Sequence, residues 1–380
     1  MLYLDHAATT PVRPEVVDAM LPHLGERFGN PSSHHTVGEG AAAALTEARR
    51  RVAAVVGMRT GDVVFTSGGT EANNLAVKGL AIAAAHRRGA PAHIVTSAIE
   101  HESILASCDY LERVHGFAVT RLPVSATGRV DPDAVAAALV DRTALVSLGY
   151  ANNEIGTVQD VRAIAAATSA AKVPLHLDAV QAAGWLPLAG TGADALSIAG
   201  HKIGAPPGIG VLAVRGRLPI EPLLHGGGQE RDRRSGTENV AGAVGFALAL
   251  ELAEAEREAA AARAVQRRDA FVERVLALTA GARLTGDPVH RLPGTASFTF
   301  EGVSGEAVLL ELERRGIVSS SGSACAAGSD EPSHVLVALG IAPQVAQTAV
   351  RFTFGHGADL DLLPVADAVA AAVAAVRSGG

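Results

Sequence analysis

A histidine–lysine pair, His201 and Lys202, stands in the segment SIAGHKIGAPPGIG, and the apolar run PLHLD before it ends on Asp178. A carboxylate that closes a buried strand needs a positive or protonated partner to offset its lost hydration. Most lysines are solvated surface groups, but a lysine brought opposite such an aspartate is an amine able to condense with a carbonyl. Upstream, FTSGGTEANN sets Gly69 and Thr70 at a predicted helix start, where small residues let backbone amides close on an anion. Alone, that segment reads equally as a glycine turn with Thr70 as helix cap. No Lys-Ser or Lys-Thr pair follows, which excludes a nucleoside-triphosphate loop. His101 in AIEHES, and Asn152, Asn153 and Glu154 in ANNEIG, also follow apolar runs. Each of these alone is as readily a cap or turn residue as a ligand contact. Taken in order, a phosphate turn, a histidine, an asparagine pair, a buried aspartate and a lysine are the parts that pyridoxal phosphate requires. Lys202 would form the Schiff base and Asp178 would keep the pyridinium nitrogen protonated.

The chain has two cysteines, too far apart in sequence to be read as a disulfide framework and without the spacing of a structural zinc site. Cys108 lies in HESILASCDYLERVHG, a predicted helix, where a small buried residue is the plain reading. Cys325 is set in SSSGSACAAGSD, among residues with almost no bulk, on a predicted loop.

The elements that must position these residues alternate. The runs DVVFTS, HIVTS, FAVTRLPV, ALVSLGY, PLHLD, DALSIA and GIGVLAV are separated by alanine-rich stretches of helical period. That order predicts an α/β fold, a mostly parallel sheet with helices on both faces, whose ligands bind beyond the carboxyl ends of the strands. From Thr237 a long helical stretch runs to about Leu278 and leads to GTASFTF, a helix near Glu306 to Arg315, and a last strand in VRFTFG. The expected division is a large domain, residues 15–255, and a smaller α+β domain built from residues 1–14 and 256–380. A formal charge of −7 argues against a broad nucleic-acid surface. Asp5 and His6 interrupt the start where an export signal needs an apolar core, and the apolar stretches are too short to span a bilayer. A cytoplasmic location is the expectation.

With these motifs in hand the sequence resembles the cysteine desulfurases of the NifS/IscS type, within the fold-type I pyridoxal-phosphate enzymes. The resemblance runs nearly end to end through YLDHAATTPV, FGNPSSHH, FTSGGTEANN, IEHES, ANNEIGT, LDAVQAAG, SIAGHK, LLHGGGQERDRRSGTEN, SSGSAC and VRFTFG. It implies that Lys202 is the Schiff-base lysine, that Asp178 pairs with the pyridinium nitrogen, that Gln181 bonds the phenolic oxygen and that His101 stacks on the ring. It also implies that Gly69, Thr70, His201 and, from a second subunit, Thr237 hold the phosphate. Asn153 is similar to the family's asparagine near cofactor and substrate, and Arg351 to the arginine that clamps the substrate carboxylate. The implied reaction removes sulfur from L-cysteine, giving L-alanine and a persulfide on Cys325, with His101 taking or giving the proton near the sulfur. A homodimer and a sulfur-acceptor protein follow, the acceptor being an iron–sulfur scaffold or a protein of transfer-RNA or DNA sulfur modification. No resident metal is expected, with Cys325 at most a transient iron–sulfur ligand. A selenocysteine lyase, another fold-type I enzyme, or a sulfur-carrier scaffold with a degenerate site remain alternatives.

Three features depart from the family's common pattern. Ala199 stands where many members carry a phosphate-binding serine, and Ser197 or a water is the expected substitute. APPG replaces a Gly-Pro-Lys-Gly segment, and the sequence ends at AAVRSGG without the longer tail some relatives use to dock a scaffold.

Overall fold

The computed structural model describes residues 1–322, 331–357 and 360–379. Its centre is a seven-stranded sheet, in spatial order Val63–Thr66, Gly210–Val214, Ala195–Ala199, Leu175–Asp178, Thr143–Gly149, His93–Ser97 and Ala118–Leu122. All neighbours pair in parallel except Gly210–Val214, which runs antiparallel to the strand on each side. Each of the seven predicted runs is a strand. The residues of the inner strands are buried on both faces, which explains their near-continuous apolar character.

The connections supply the helices that a parallel sheet needs. Among them are Glu102–His115, Val161–Ala170 and a continuous helical run from Gly69 to Arg88, wound as a π-helix over Leu75–Gly79. The helix Val240–Leu278 joins two hydrophobic cores. Its first half, including Ala243, Phe246 and Leu250, packs with the central sheet, and Phe271 and Val275 pack with Leu4, Phe298 and Phe352. That second core lies on a three-stranded antiparallel sheet, Ala349–Thr353, Thr295–Phe300 and Ala282–Leu284, faced by Leu363–Gly379. The N-terminal segment is stitched onto it, with Thr353 N–H donating to Leu4 O and Ala7 N–H to Thr353 Oγ1. These bonds carry Asp5, Ala7 and Ala8 to the boundary between the two cores.

Under the carboxyl ends of the central strands runs a buried polar chain, Ser147 Oγ to His176 Nδ1 at 2.9 Å and His176 Nε2 to Ser197 Oγ at 2.8 Å. Full burial pushes His176 down to about 3, so its ring stays neutral across the working pH range.

Candidate active site

A cavity of about 680 Å³ opens at the carboxyl edge of the central sheet, at the rim of the second core. This is the volume range of small-molecule sites. Of the sequence-predicted residues, Gly69, Thr70, His101, Asn153, Asp178, Gln181, His201, Lys202 and Arg351 all line it. Thr237 does not; it is exposed on the loop before the Val240–Leu278 helix. Cys325 lies outside the described residues.

Asp178 is the last residue of its strand. Its Oδ1 accepts from Val180 N–H at 2.9 Å and its Oδ2 from Asn73 Nδ2 at 2.7 Å. Lys202 sits on the 3₁₀ turn Gly200–Lys202 that follows Ala195–Ala199, and its Nζ donates to Ala7 O and to Ala8 O. Gln181 Nε2 also donates to Ala7 O, at 3.1 Å. The N-terminal segment therefore receives both residues. His201 meets Thr9 Oγ1 at 3.2 Å, and burial, with the neighbouring Lys202 charge, pushes its imidazole down to about 4.

Gly69 opens the helical run, and Gly69 and Thr70, which precede the first intrahelical bond (Ala72 N–H to Gly68 O), line the cavity. A Cβ there would come within 2.8 Å of Val180 Cγ2 and 3.2 Å of Ala199 Cβ, which is why this position takes glycine. Ala199 thus lines the cavity where a hydroxyl is absent. Ser197 is not a substitute for it: its hydroxyl is engaged by His176, it is fully buried, and it does not reach the cavity.

Arg351, on the strand Ala349–Thr353, is fully buried. One terminal nitrogen bonds Asp5 Oδ1 at 2.6 Å, and the other donates to Asn153 O at 2.8 Å and Gly322 O at 3.2 Å. These three anchors come from three separate segments and hold a planar five-donor fork in place.

Two lining residues, Glu100 and Asn73, were not singled out from sequence, and Glu154 was noted there only as a turn or ligand candidate. Glu100 is fully buried, accepts from Ser97 Oγ at 2.5 Å, and is pushed up to about 8 by burial, with Asp178 adding to the rise. Glu154 is buried against Ser333 Oγ, 2.5 Å away, and burial raises it as well. Asn73 is buried beside Asp178, with its own Oδ1 unpaired. All three lie inside motifs quoted above, but the types of Glu100 and Asn73 alone gave no chemical signal, because their states come from neighbours distant in sequence.

The residues present fit pyridoxal phosphate. A buried carboxylate and a primary amine share one cavity, a helix start and a neutral imidazole stand at one part of its lining, and a buried guanidinium stands at another. This is the set that a ring nitrogen, an aldehyde, a phosphate and a substrate carboxylate require. A sheet of this topology with a lysine and an aspartate at its carboxyl edge defines a fold-type I pyridoxal-phosphate enzyme.

The chain belongs to the aminotransferase class-V family, whose description matches residues 2–361. The cysteine desulfurase IscS of Dictyoglomus turgidum is 44% identical over 356 residues, covering 93% of this chain and 89% of that protein. Among solved structures, a NifS-like protein superposes with a TM-score of 0.88 at 33% identity, covering 99% of this chain and 98% of the other. SspA in complex with cysteine superposes at 0.82 with 34% identity, covering 93% and 99%.

Proposed function

We propose that this chain is a pyridoxal-phosphate-dependent cysteine desulfurase that converts L-cysteine to L-alanine and retains the sulfur as a persulfide on Cys325. The observation that carries the reading is one cavity gathering Lys202, Asp178, His101, the Gly69–Thr70 helix start and Arg351, in a chain related along its length to cysteine desulfurases. When bound, the cofactor supplies an electron sink that weakens the substrate's carbon–sulfur bond.

The chain's own residues divide the rest of the work. Lys202 anchors the cofactor through its amine, Asp178 pairs with the ring nitrogen and Gln181 with the phenolic oxygen. Gly69, Thr70 and His201 hold the phosphate, with Thr237 of a second copy completing the set. Arg351, aimed by Asp5, Asn153 O and Gly322 O, binds the substrate carboxylate beside Asn153. The Cys325 thiolate takes the sulfur.

A homodimer is supported by the exposure of Thr237 and by a groove of mixed polar and apolar lining between the helices Pro14–Leu24 and Thr36–Val56, at whose edge Phe28 is 66% exposed. The sulfur passes to an acceptor protein, of iron–sulfur assembly or of transfer-RNA or DNA sulfur modification. No described helix is long and apolar enough to cross a membrane, and the reading places the reaction in the cytoplasm, where thiols stay reduced.

The test is direct. Purified protein loaded with pyridoxal phosphate and given L-cysteine yields alanine and a persulfide on the chain. The Cys325→Ala variant keeps the cofactor's absorbance and forms no persulfide. Wild-type protein that releases no alanine overturns the assignment of activity, and full-rate turnover by Cys325→Ala overturns the assignment of the nucleophile.

A further inference from the structure

Glu230, Arg231 and Asp232 follow one another with φ of 49°, 58° and 62°. Successive residues with side chains rarely occupy this left-handed region, because each Cβ crowds the following carbonyl oxygen. Such a backbone persists only where its surroundings over-determine it. The Glu230 carboxylate is buried in an ion pair with Arg49 of the helix Thr36–Val56, the two side chains being 1% and 9% exposed. The Arg49 guanidinium in turn lies 5.4 Å from the centre of the Phe65 ring. Arg231 donates to Val63 O at 2.6 Å and Arg234 Nε to Glu71 Oε1 at 2.9 Å, which fastens the segment to the edge of the sheet and to the helical run that opens at Gly69.

The turn is also closed on itself. Gly236 N–H donates to Gln229 Oε1 at 2.9 Å, and Ser235 N–H donates to Leu224 O at 3.0 Å. The path from the buried pair to Thr237 is therefore short. Arg49 holds Glu230, the adjacent Gln229 holds Gly236, and Thr237 is the next residue. Yet Thr237 is exposed, and no residue from Leu224 to Thr237 lines the chain's own cavity. The threonine that this strained turn sets in place is thus offered to another molecule. Breaking the ion pair would leave a buried charge without its partner and free the three residues to return to right-handed backbone, which redirects the chain just before Thr237.

We propose that Glu230 and Arg49 are positioning residues that act in trans: their ion pair holds the left-handed turn, and the turn sets Thr237 for the cofactor phosphate in the site of a second copy. This rests on the reading, given above, of a site shared across a dimer. One chain's Glu230 then governs the cofactor affinity of the other chain's site.

The assay is equilibrium titration of the full-length dimer with pyridoxal phosphate, read by the absorbance of the lysine-bound cofactor. Loss of one charge-assisted phosphate contact weakens binding by about tenfold. Glu230→Gln should show that loss, and unchanged affinity overturns the proposal. A mixed dimer locates the effect. When a Glu230→Gln chain is paired with a Lys202→Ala chain, the site that keeps its lysine lies on the Glu230→Gln chain and receives Thr237 from a chain whose turn is intact. That site should bind with wild-type affinity. Affinity that stays weak means that Glu230 serves its own chain's site, and the proposal fails. The same pairing with Thr237→Ala in place of Glu230→Gln tests the reading beneath it, and no recovery there overturns the shared site itself. Asp232, whose side chain is exposed, gives an arm that spares the buried pair. Asp232→Gly takes the left-handed backbone without strain and should bind within about twofold of wild type, whereas the β-branched Asp232→Val should lose about tenfold. Equal affinities in these two variants overturn the role of the turn.

Discussion

Glu100 is the residue whose replacement tests the electrostatics of the site most sharply. Its carboxyl is buried beneath the cavity, bonded to Ser97, and raised from an ordinary value of 4.5 to about 8, chiefly by burial and further by Asp178. Because the folded-state value lies above the unfolded one, the folded chain holds a proton that the unfolded chain releases between these two pH values. Its stabilising share is complete below about pH 4.5 and is lost as pH rises through about 8. The interval of 8 minus 4.5 sets a ceiling of about 5 kcal/mol, at ~1.4 kcal/mol per pH unit. Glu100→Gln removes the titration at nearly the same shape: its oxygen can take the Gly149 amide, and its Nε2 donates to Ser97 Oγ, reversing the bond that Glu100 accepts from that hydroxyl. Urea unfolding of both proteins at a series of pH values is the assay. Near pH 5 the two midpoints should lie within about 1 kcal/mol, and by pH 9 the glutamine variant should be the more stable by about 2 kcal/mol or more. A difference that does not grow with pH shows that Glu100 is ionised in the folded chain, and the reasoning fails.

Ala199→Ser adds a hydroxyl beside Gly69, and one charge-assisted hydrogen bond should tighten pyridoxal phosphate by about tenfold; equilibrium titration with the cofactor checks it, and an unchanged affinity rejects the missing-contact account. Arg351→Lys loses the planar fork held by Asp5, Asn153 and Gly322, and KM for L-cysteine should rise by about tenfold or more while cofactor affinity holds. A KM that does not move removes Arg351 from substrate binding. Lys172, just past the helix Val161–Ala170, has φ of 58°, a left-handed backbone that glycine adopts without strain. Lys172→Gly should raise stability by about 1 kcal/mol, measured as a higher urea midpoint, and a fall would show that the lysine side chain holds the helix end.

The strands were legible because each is short and most are apolar and buried, and the alternation with helices implies parallel pairing. The reversed direction of Gly210–Val214 was not, since strand direction leaves no mark on a buried apolar run. Gly69, Asp178 and Lys202 could be picked out only together: alone they read as a turn glycine, a buried acid in need of a partner and a solvated amine, and it is their order at successive strand ends that points to one cofactor. Glu100 and Asn73 gave no such mark. An acid becomes neutral at working pH, and an amide becomes a link between Asp178 and Ser103, only through groups brought near by folding. Ser197 shows the same limit from the other side. Two residues from Ala199 on one strand, it was a reasonable stand-in until His176, on the neighbouring strand, took its hydroxyl.

The order of motifs along the chain by itself pointed to the fold class and the cofactor chemistry and singled out Lys202 and Asp178 as candidates, because those residue types in that order have few other uses, whereas Arg351 entered only through the family resemblance. Only the tertiary structure decided their states. Whether Glu100 is charged and which groups aim Arg351 depend on desolvation and on hydrogen bonds to residues remote in sequence. Those energies belong to distances in space, and a linear order of residue types does not carry them.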